Sequence, residues 1–550
     1  MFRTSIILIL SLSLRVSAAI WNVFPGESIQ QAVRSAASCD TVIIQDGDYE
    51  ESVVLHGKTL TIGSLYLLDG DTAHVDFAII SADTARLDTN SCFVYAYGEA
   101  QGGKLAGLTL RNGHGTRWDT TVAGGTLGGA VHVRESNVAL EYCRITQSCA
   151  YYGGGIGING VPGALNANVT LKNCTLRGDT SYSWGGGIYA RYCSLDVRNC
   201  LMTEDSSCGS GGACITLDAP GNLTACQFLS CVSYGSALAL SGPASVEECL
   251  FEHNRTTTPD GPTDLEASSL SLTVSRCVFR NNATTVHSVI LMQFSELDFV
   301  GNLIENMSAI DYSATLIFSG GHPNIAYNII RNNVNSHGGA VQLVGQSTAH
   351  VHHNVFRDNS ALDGPLGSAI GCTYRSYPVI DSNLFIGNTA PDITREDEPD
   401  YHPIIDARNN WWGDASGPYH PTQNPAGRGD TLLADSILFS PWLTAPPDTT
   451  MPADHAAHTV TPIARTWEFF GLYPNPFNSE IRLLIAGFAG RDFRLSLFNL
   501  LGQEVAVIHR GEITGGQISF QAPPGLSSGV YLVRAADGKS VQTKKAVFLK

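Results

Sequence analysis

The stretches YNIIRNN (327–333), HHNVFRDN (352–359) and SNLFIGN (382–388) repeat one pattern: Asn, an apolar residue, a large apolar residue, and Asn again. Taken as anchors, Asn328, Asn354 and Asn383 belong to a longer series. It starts at Cys143 and runs through Cys174, Cys200, Cys226, Cys249, Cys277 and Asn302, and it ends at Asn410. Successive anchors lie 23 to 31 residues apart, and such a period sustained over eleven copies is the mark of a solenoid.

An apolar residue stands three places before nearly every anchor, from Leu140 and Leu171 to Val351 and Ile380. Another stands two places after it, a file that includes Phe279, Phe356 and Phe385. Polar neighbours flank most of the first series, so the alternation has period two and predicts strands with one buried face. Before each of these strands comes a Gly-rich element, such as Gly128-Gly129-Ala130-Val131 or Gly185-Gly186-Gly187-Ile188, where small residues permit tight turns. Short strands with no helical segment in each period of about 26 residues predict a parallel β-helix, its coils stacked about 4.8 Å apart. Like residues then sit above one another. The anchors form a ladder in a turn, the Phe residues stack inside, and Asn254, Asn282, Asn333, Asn359 and Asn388 form a second column.

The ends of such a stack need covering. SIQQAVRSA (28–36) reads as an N-terminal capping helix, with Ser28 as N-cap and Ile29, Ala32 and Val33 on one face. Upstream, Met1-Phe2-Arg3, the apolar run Ile6 to Leu14, and Val16-Ser17-Ala18 read as a cleavable signal peptide over 1–18. The expected domains are therefore the signal peptide, a β-helix over 19–443, a flexible linker rich in Pro, Thr and Ala over 444–466, and a C-terminal domain over 467–550. In the last, short alternating runs separated by Gly, Pro and Asn predict a small β-sandwich.

The formal charge is −17, while the last domain carries nine basic and six acidic residues, so the rest is strongly acidic. That balance argues against nucleic acid as a partner and weakens the case for a polyanionic sugar. Six of the fourteen cysteines occupy the anchor column where Asn follows. They read as a thiol ladder, although stacked neighbours also fall within disulfide range. The remaining cysteines lack metal-site spacing, so no metal or other cofactor is expected, and structural calcium in the loops is left open.

Two resemblances follow from these residues. GLTLRNG (107–113), NNWWGDASGP (409–418) and FSPWL (439–443) resemble the first and terminal coils of the right-handed parallel β-helix, pectate-lyase-like superfamily. That fold carries lyases, hydrolases, adhesins and passive surface proteins, so the resemblance implies an architecture and no single activity. YPNPFN (473–478), LFNLLGQEV (497–505) and GLSSGVYLVRA (525–535) closely resemble the type A C-terminal sorting domain of the type IX secretion system. This implies a Gram-negative bacterium, Sec export, passage through the outer membrane, and a partnership with the secretion machinery. It also implies cleavage of this domain, leaving a mature chain without a transmembrane segment, released or held at the surface. The sorting motif falls on Tyr473, Pro474, Asn475, Pro476, Phe477 and Asn478. Pro474 and Pro476 preset an extended chain, and Gly502 and Gly529 permit turns. The sandwich is then expected to be immunoglobulin-like.

The Asp pairs of polygalacturonase-like enzymes do not accompany Gly113-His114-Gly115, and its His reads as a turn residue. The register nevertheless brings His352, Asp381 and Arg408 into line on successive coils, with His350 beside them. A carboxylate beside His poises a base, and Arg stabilises a developing anion, so these three are the candidate catalytic residues. The competing reading is a solvated ladder of charges that offset one another. Three functions stay open: a glycan-binding or adhesive surface protein, a polysaccharide lyase or glycoside hydrolase, and a passive spacer without a glycan ligand.

Overall fold

A computed structural model describes residues 18–451 and 468–550, apart from 84–88, 100–101, 118–124, 164–166, 257–261, 285–287, 310–313, 337–338, 363–366, 390, 396–403, 474–476, 487–489, 500–501, 514–515, 524 and 537–540. The expected signal peptide up to residue 17, most of the expected linker, and Pro474, Asn475 and Pro476 lie outside the described residues.

The chain forms two compact units that divide at Thr461 and Pro462. The first is an all-β parallel solenoid. Each coil visits four faces in turn, illustrated by Ile188–Arg191, Ser194–Arg198, Leu201–Thr203 and Ser206–Ser207. The first and second faces belong to one sheet of 27 strands, the third is a sheet of 13, and the fourth a sheet of 12. In two coils the first and second faces merge into single strands, Leu265–Ser275 and Ile290–Val300. Thirteen stacked strands at about 4.8 Å give a rod of about 60 Å. Among the described strands of the solenoid, pairing is parallel except around Gly115–Arg117, which pairs antiparallel with both of its neighbours.

The interior file on the third face is as the sequence predicts. Ile145, Leu176, Met202, Phe228, Phe251, Phe279, Ile304, Ile330, Phe356 and Phe385 are Cα partners in unbroken register. All ten are fully buried. The rings stack in two runs, Phe228–Phe251–Phe279 at 4.6 and 4.7 Å and Phe356–Phe385–Trp412 at 5.1 and 4.6 Å. Ile304 and Ile330 separate the runs without shifting the file.

The ladders explain why Asn recurs. In the anchor column, Asn354 Oδ1 accepts from both the backbone N–H and the side-chain amide of Asn328, each at 2.9 Å. Its own Nδ2 donates to the Ile325 carbonyl at 2.8 Å and to Asn383 Oδ1 at 3.0 Å. The cysteines reproduce half of this arrangement. The Cys174, Cys226, Cys249 and Cys277 thiols donate to the carbonyls of Leu140, Val197, Leu223 and Val246 on the preceding coil, where the later amides bond. A small buried donor is what the position requires, and both residue types supply one. No disulfide joins any of the fourteen cysteines.

The second column extends further than Asn alone reveals. It runs from Ser148 through Asp179, Asp205 and Cys231 to Asn254: the backbone N–H of Ser148 donates to Asp179 Oδ1, that of Asp179 to Asp205 Oδ1, and that of Cys231 to Asn254 Oδ1. It ends beyond Asn388 on Asp430, whose carboxylate accepts from the Asn388 side chain. Burial drives the Asp179 and Asp205 carboxyls well above the usual carboxylate range, so both are neutral acids.

Immediately before each anchor the backbone is left-handed, with φ between 50° and 69° at Tyr142, Asn173, Asn199, Ala225, Glu248, Arg276, Gly301, Tyr327, His353, Ser382 and Asn409. These residues turn the chain between the second and third faces. Asn suits that conformation; Tyr, Glu, Arg and His are held in it by the stack.

At the start of the solenoid, Ile29–Ser35 forms the expected helix, its N-cap Ser28 accepting from Gln31 N–H at 3.0 Å. Ile29 and Val33 are fully buried in the solenoid core. At the other end, Met451, within the expected linker, lies on the solenoid with its sulfur over Gly301.

The second unit contains two antiparallel sheets, one of three strands and one of four, around a core that includes Phe477, Leu483, Leu495, Val533 and Phe548. Phe477 of the sorting motif is buried, its ring 5.1 Å from Phe548, while Asn478 is exposed. Tyr473 ends the strand Glu468–Tyr473. Gly502 makes the expected turn at φ 77°. Gly529 does not: it opens the strand Gly529–Ala536, and Gly525 takes the left-handed conformation nearby at φ 92°.

Candidate functional site

Two files run along the second face beside its buried positions, mostly polar in the first and mixed in the second. One runs Asp196, Asn222, Ser245, Thr273, Asp298, Asn324, His350, Val379, Asp406 in register. The other runs Glu247, Ser275, Val300, Ala326, His352, Asp381. Because side chains two apart on a strand share a face, His350 and His352 stand side by side, their rings stacked at 4.2 Å.

His352 and Asp381 are Cα partners, as the sequence register predicts. Their side chains do not pair. Asp381 Oδ2 bonds His350 Nε2 at 2.8 Å, while His352 Nε2 bonds Asn324 Oδ1 at 3.0 Å. Both contacts run along the same diagonal, from the first file to the second on the following coil. Arg408 departs further from expectation. It closes a two-bond fork on Asp406, two residues before it in the same coil, at 2.9 and 2.7 Å, and that hydrogen bonding holds the Asp406 carboxyl below its usual range. His352 and Asp381 are thus aligned by backbone register, while the side chains of His352, Asp381 and Arg408 each make a separate contact.

His353 folds back from its left-handed turn. Its Nδ1 lies 2.8 Å from His352 Nδ1, and its ring stacks on Tyr327 at 5.0 Å. Burial, then the neighbouring His350 and His353, push His352 down to about 4. It is a neutral imidazole at ordinary pH, able to accept or donate one hydrogen bond at each nitrogen. Among the described residues no group of three or more His, Cys, Asp or Glu is arranged to hold a metal.

One surface feature escaped the sequence reading. Residues Cys149–Tyr152 and Thr180–Trp184 are longer than most strands of the fourth face, and they carry a group of rings. Tyr152 contacts Tyr151 at 4.8 Å, Tyr189 at 5.0 Å and Trp184 at 5.9 Å. Tyr182 and Tyr234 are exposed beside them. The doublet Tyr151-Tyr152 and the string Tyr182-Ser183-Trp184 were the available signal. His114 lies at this edge, its Nδ1 3.4 Å from Cys149 Sγ.

Residues 154–319 match the family model described as right handed beta helix region, and residues 471–549 match that of a secretion system C-terminal sorting domain. The chain thus carries a right-handed β-helix and a type IX sorting domain. No curated protein matches it. Among solved structures it is similar to the catalytic domain of a GH87 alpha-1,3-glucanase in complex with tetrasaccharides, with 12% identity over 68% of this chain and 67% of that one, at a TM-score of 0.31. It is also similar to a mannuronic acid specific polysaccharide family 6 lyase from human gut microbiota, with 11% identity over 70% and 92%, at 0.31. A third likeness is to the A-module of the Azotobacter vinelandii mannuronan C-5 epimerase AlgE4, with 12% identity over 68% and 93%, at 0.29. Among the described residues no helix is long and apolar enough to cross a membrane.

Proposed function

We propose that this exported β-helix is a glycan-binding protein of the Gram-negative cell surface or its surroundings, delivered by type IX secretion through its C-terminal domain. The observation that carries the reading is the in-register file of outward polar groups on the second face, from Thr273 and Asp298 through Asn324 to His350. Parallel stacking repeats hydrogen-bonding groups about every 4.8 Å along the rod, a spacing suited to an extended, hydroxyl-rich chain. The exposed rings of Tyr182, Trp184 and Tyr234 add amphipathic surface of the kind that packs against sugar faces. The net charge of −17 favours a neutral glycan over a polyanionic one.

A second reading, a polysaccharide lyase or glycoside hydrolase, draws on one observation: the contact between His350 and Asp381 beside a neutral His352. A base poised by a carboxylate has this form. Arg408, however, is engaged by Asp406 and is not free to meet a developing anion at Asp381.

A panel of immobilised plant and bacterial polysaccharides tests the first reading. Binding to a neutral glycan that weakens at least about tenfold in His350→Ala and Asn324→Ala, as loss of one or two direct hydrogen bonds would give, supports it. No binding anywhere on the panel favours a passive spacer.

A further inference from the structure

Among the described residues, the first tied into the solenoid is Ala19. Its carbonyl accepts from Thr41 N–H at 2.9 Å, and the adjoining strand begins at Ile20, opposite Thr41. Its own nitrogen points at Asp40, 2.7 Å from Oδ1. Asp40 is 4% exposed, and its other oxygen accepts from Trp21 Nε1 at 3.0 Å and Ala37 N–H at 2.9 Å. Three N–H donors thus converge on a buried carboxylate, and hydrogen bonding, that from Ala19 foremost, holds it below its usual range. Lys58, the nearby cation, is engaged elsewhere: its ammonium bonds the carbonyls of Val33, Arg34 and Ala36. Asp40 therefore sits in a cradle of neutral donors with no directly bonded positive partner.

Val16-Ser17-Ala18 ends immediately before this contact. We propose that the signal peptide is cut between Ala18 and Ala19, and that the α-ammonium so created is the charged partner of Asp40. Hydrolysis by water leaves a carboxylate on Ala18 and an ammonium on Ala19. The nitrogen that already touches Asp40 as an amide becomes a cation in place. The contact changes from a neutral donor on a carboxylate to a charge-assisted pair without movement of the backbone. Processing then strengthens the contact that already fastens the first strand at the N-terminal end of the solenoid. Ala18, Ala19 and Ile20 are exposed, so the bond is accessible to a peptidase.

The proposal rests on the reading that the chain is exported, and the test separates the two. The full chain is recovered after export from a cell carrying the secretion system, and its N-terminus is sequenced and its α-amine acylated under limiting reagent. The expected N-terminus is Ala19. Its amine should react about tenfold more slowly than that of Asp40→Asn, as a rise of one unit in amine pKa would give. In melting experiments, one extra alanine before Ala19 should lower Tm, and Asp40→Asn should lower Tm less in that extended chain than in the mature one. Absence of the chain outside the cell would sink the export reading itself, whereas an intact leader on the exported chain would overturn the cleavage. Cleavage at another bond, equal acylation rates, or an Asp40→Asn effect that is the same in both chains would overturn the ammonium pairing alone.

Discussion

His350 and Asp381 stand in different files on successive coils, yet their side chains meet at 2.8 Å, while Asp381's Cα partner, His352, turns to Asn324. Strand register fixes which residues neighbour one another. The lean of each side chain along its strand decides which of them bond. The proposed glycan face follows from the first, and the failure of the expected triad from the second.

The amide ladder is expected to carry more stability than the thiol ladder. Asn354→Ala removes the acceptor of two Asn328 donors and leaves the buried Ile325 carbonyl without its amide, at about 3 kcal/mol. Cys226→Ala removes a weak donor to Val197 and falls near about 1 kcal/mol. Chemical denaturation of the two variants measures the difference, and equal losses would contradict it.

The interior file sets the scale for packing. Phe356→Ala opens a cavity against Phe385 and is expected to lower stability by about 3–5 kcal/mol, whereas Phe356→Leu stays below about 1.5 kcal/mol. Ile304 and Ile330 already fill the same file with aliphatic side chains. Equilibrium unfolding of both variants checks this.

Asp179 and Asp205 give stability a pH slope. Their carboxyls are raised in the folded chain by burial, so the native state keeps protons that the unfolded chain releases above about pH 4. Their contribution is present below the unfolded value and is lost as pH rises from there toward the folded value. Asp205→Asn, which places in the column the residue its later coils use, should flatten the fall in stability as pH rises above about 4. Unchanged slopes in paired urea titrations would contradict the neutral-acid assignment.

His352 acts in the opposite direction. Its folded value of about 4 lies below the unfolded imidazole value of about 6.5, so the unfolded chain binds a proton first as pH falls. Stability from this group is present above about pH 6.5 and is lost between there and about pH 4. An NMR titration should place the His352 midpoint near 4, and His352→Gln should lessen the acid-side loss. A midpoint above 6 would remove the neutral imidazole from the account.

The solenoid was legible because stacking makes each interior position repeat itself. Phe279, Phe356 and Phe385 announce one file, and Asn354 announces a ladder, without knowledge of any side-chain angle. The left-handed turn before each anchor was hidden, because Tyr142, Glu248, Arg276 and His353 bear no mark of that conformation and adopt it only within the stack. Arg408 was misread for a related reason: Asp406, two residues away on the same side, competes for it within the coil, and the vertical register says nothing of that competition. The acidic start of the second column was missed because Asp179 and Asp205 look like solvent residues until burial forces their protons on. The tyrosines and tryptophan of the fourth face fell outside the period altogether.

The distinction between a binding face and a catalytic one is tested most directly by prolonged incubation of the purified protein with the glycan it binds, assayed for new reducing ends and unsaturated products, beside Asp381→Ala. Bound but intact glycan, with no product above that of the variant, is the predicted result. Product formed by the natural chain and abolished in Asp381→Ala would contradict the account and make His350 and Asp381 the centre of an enzyme.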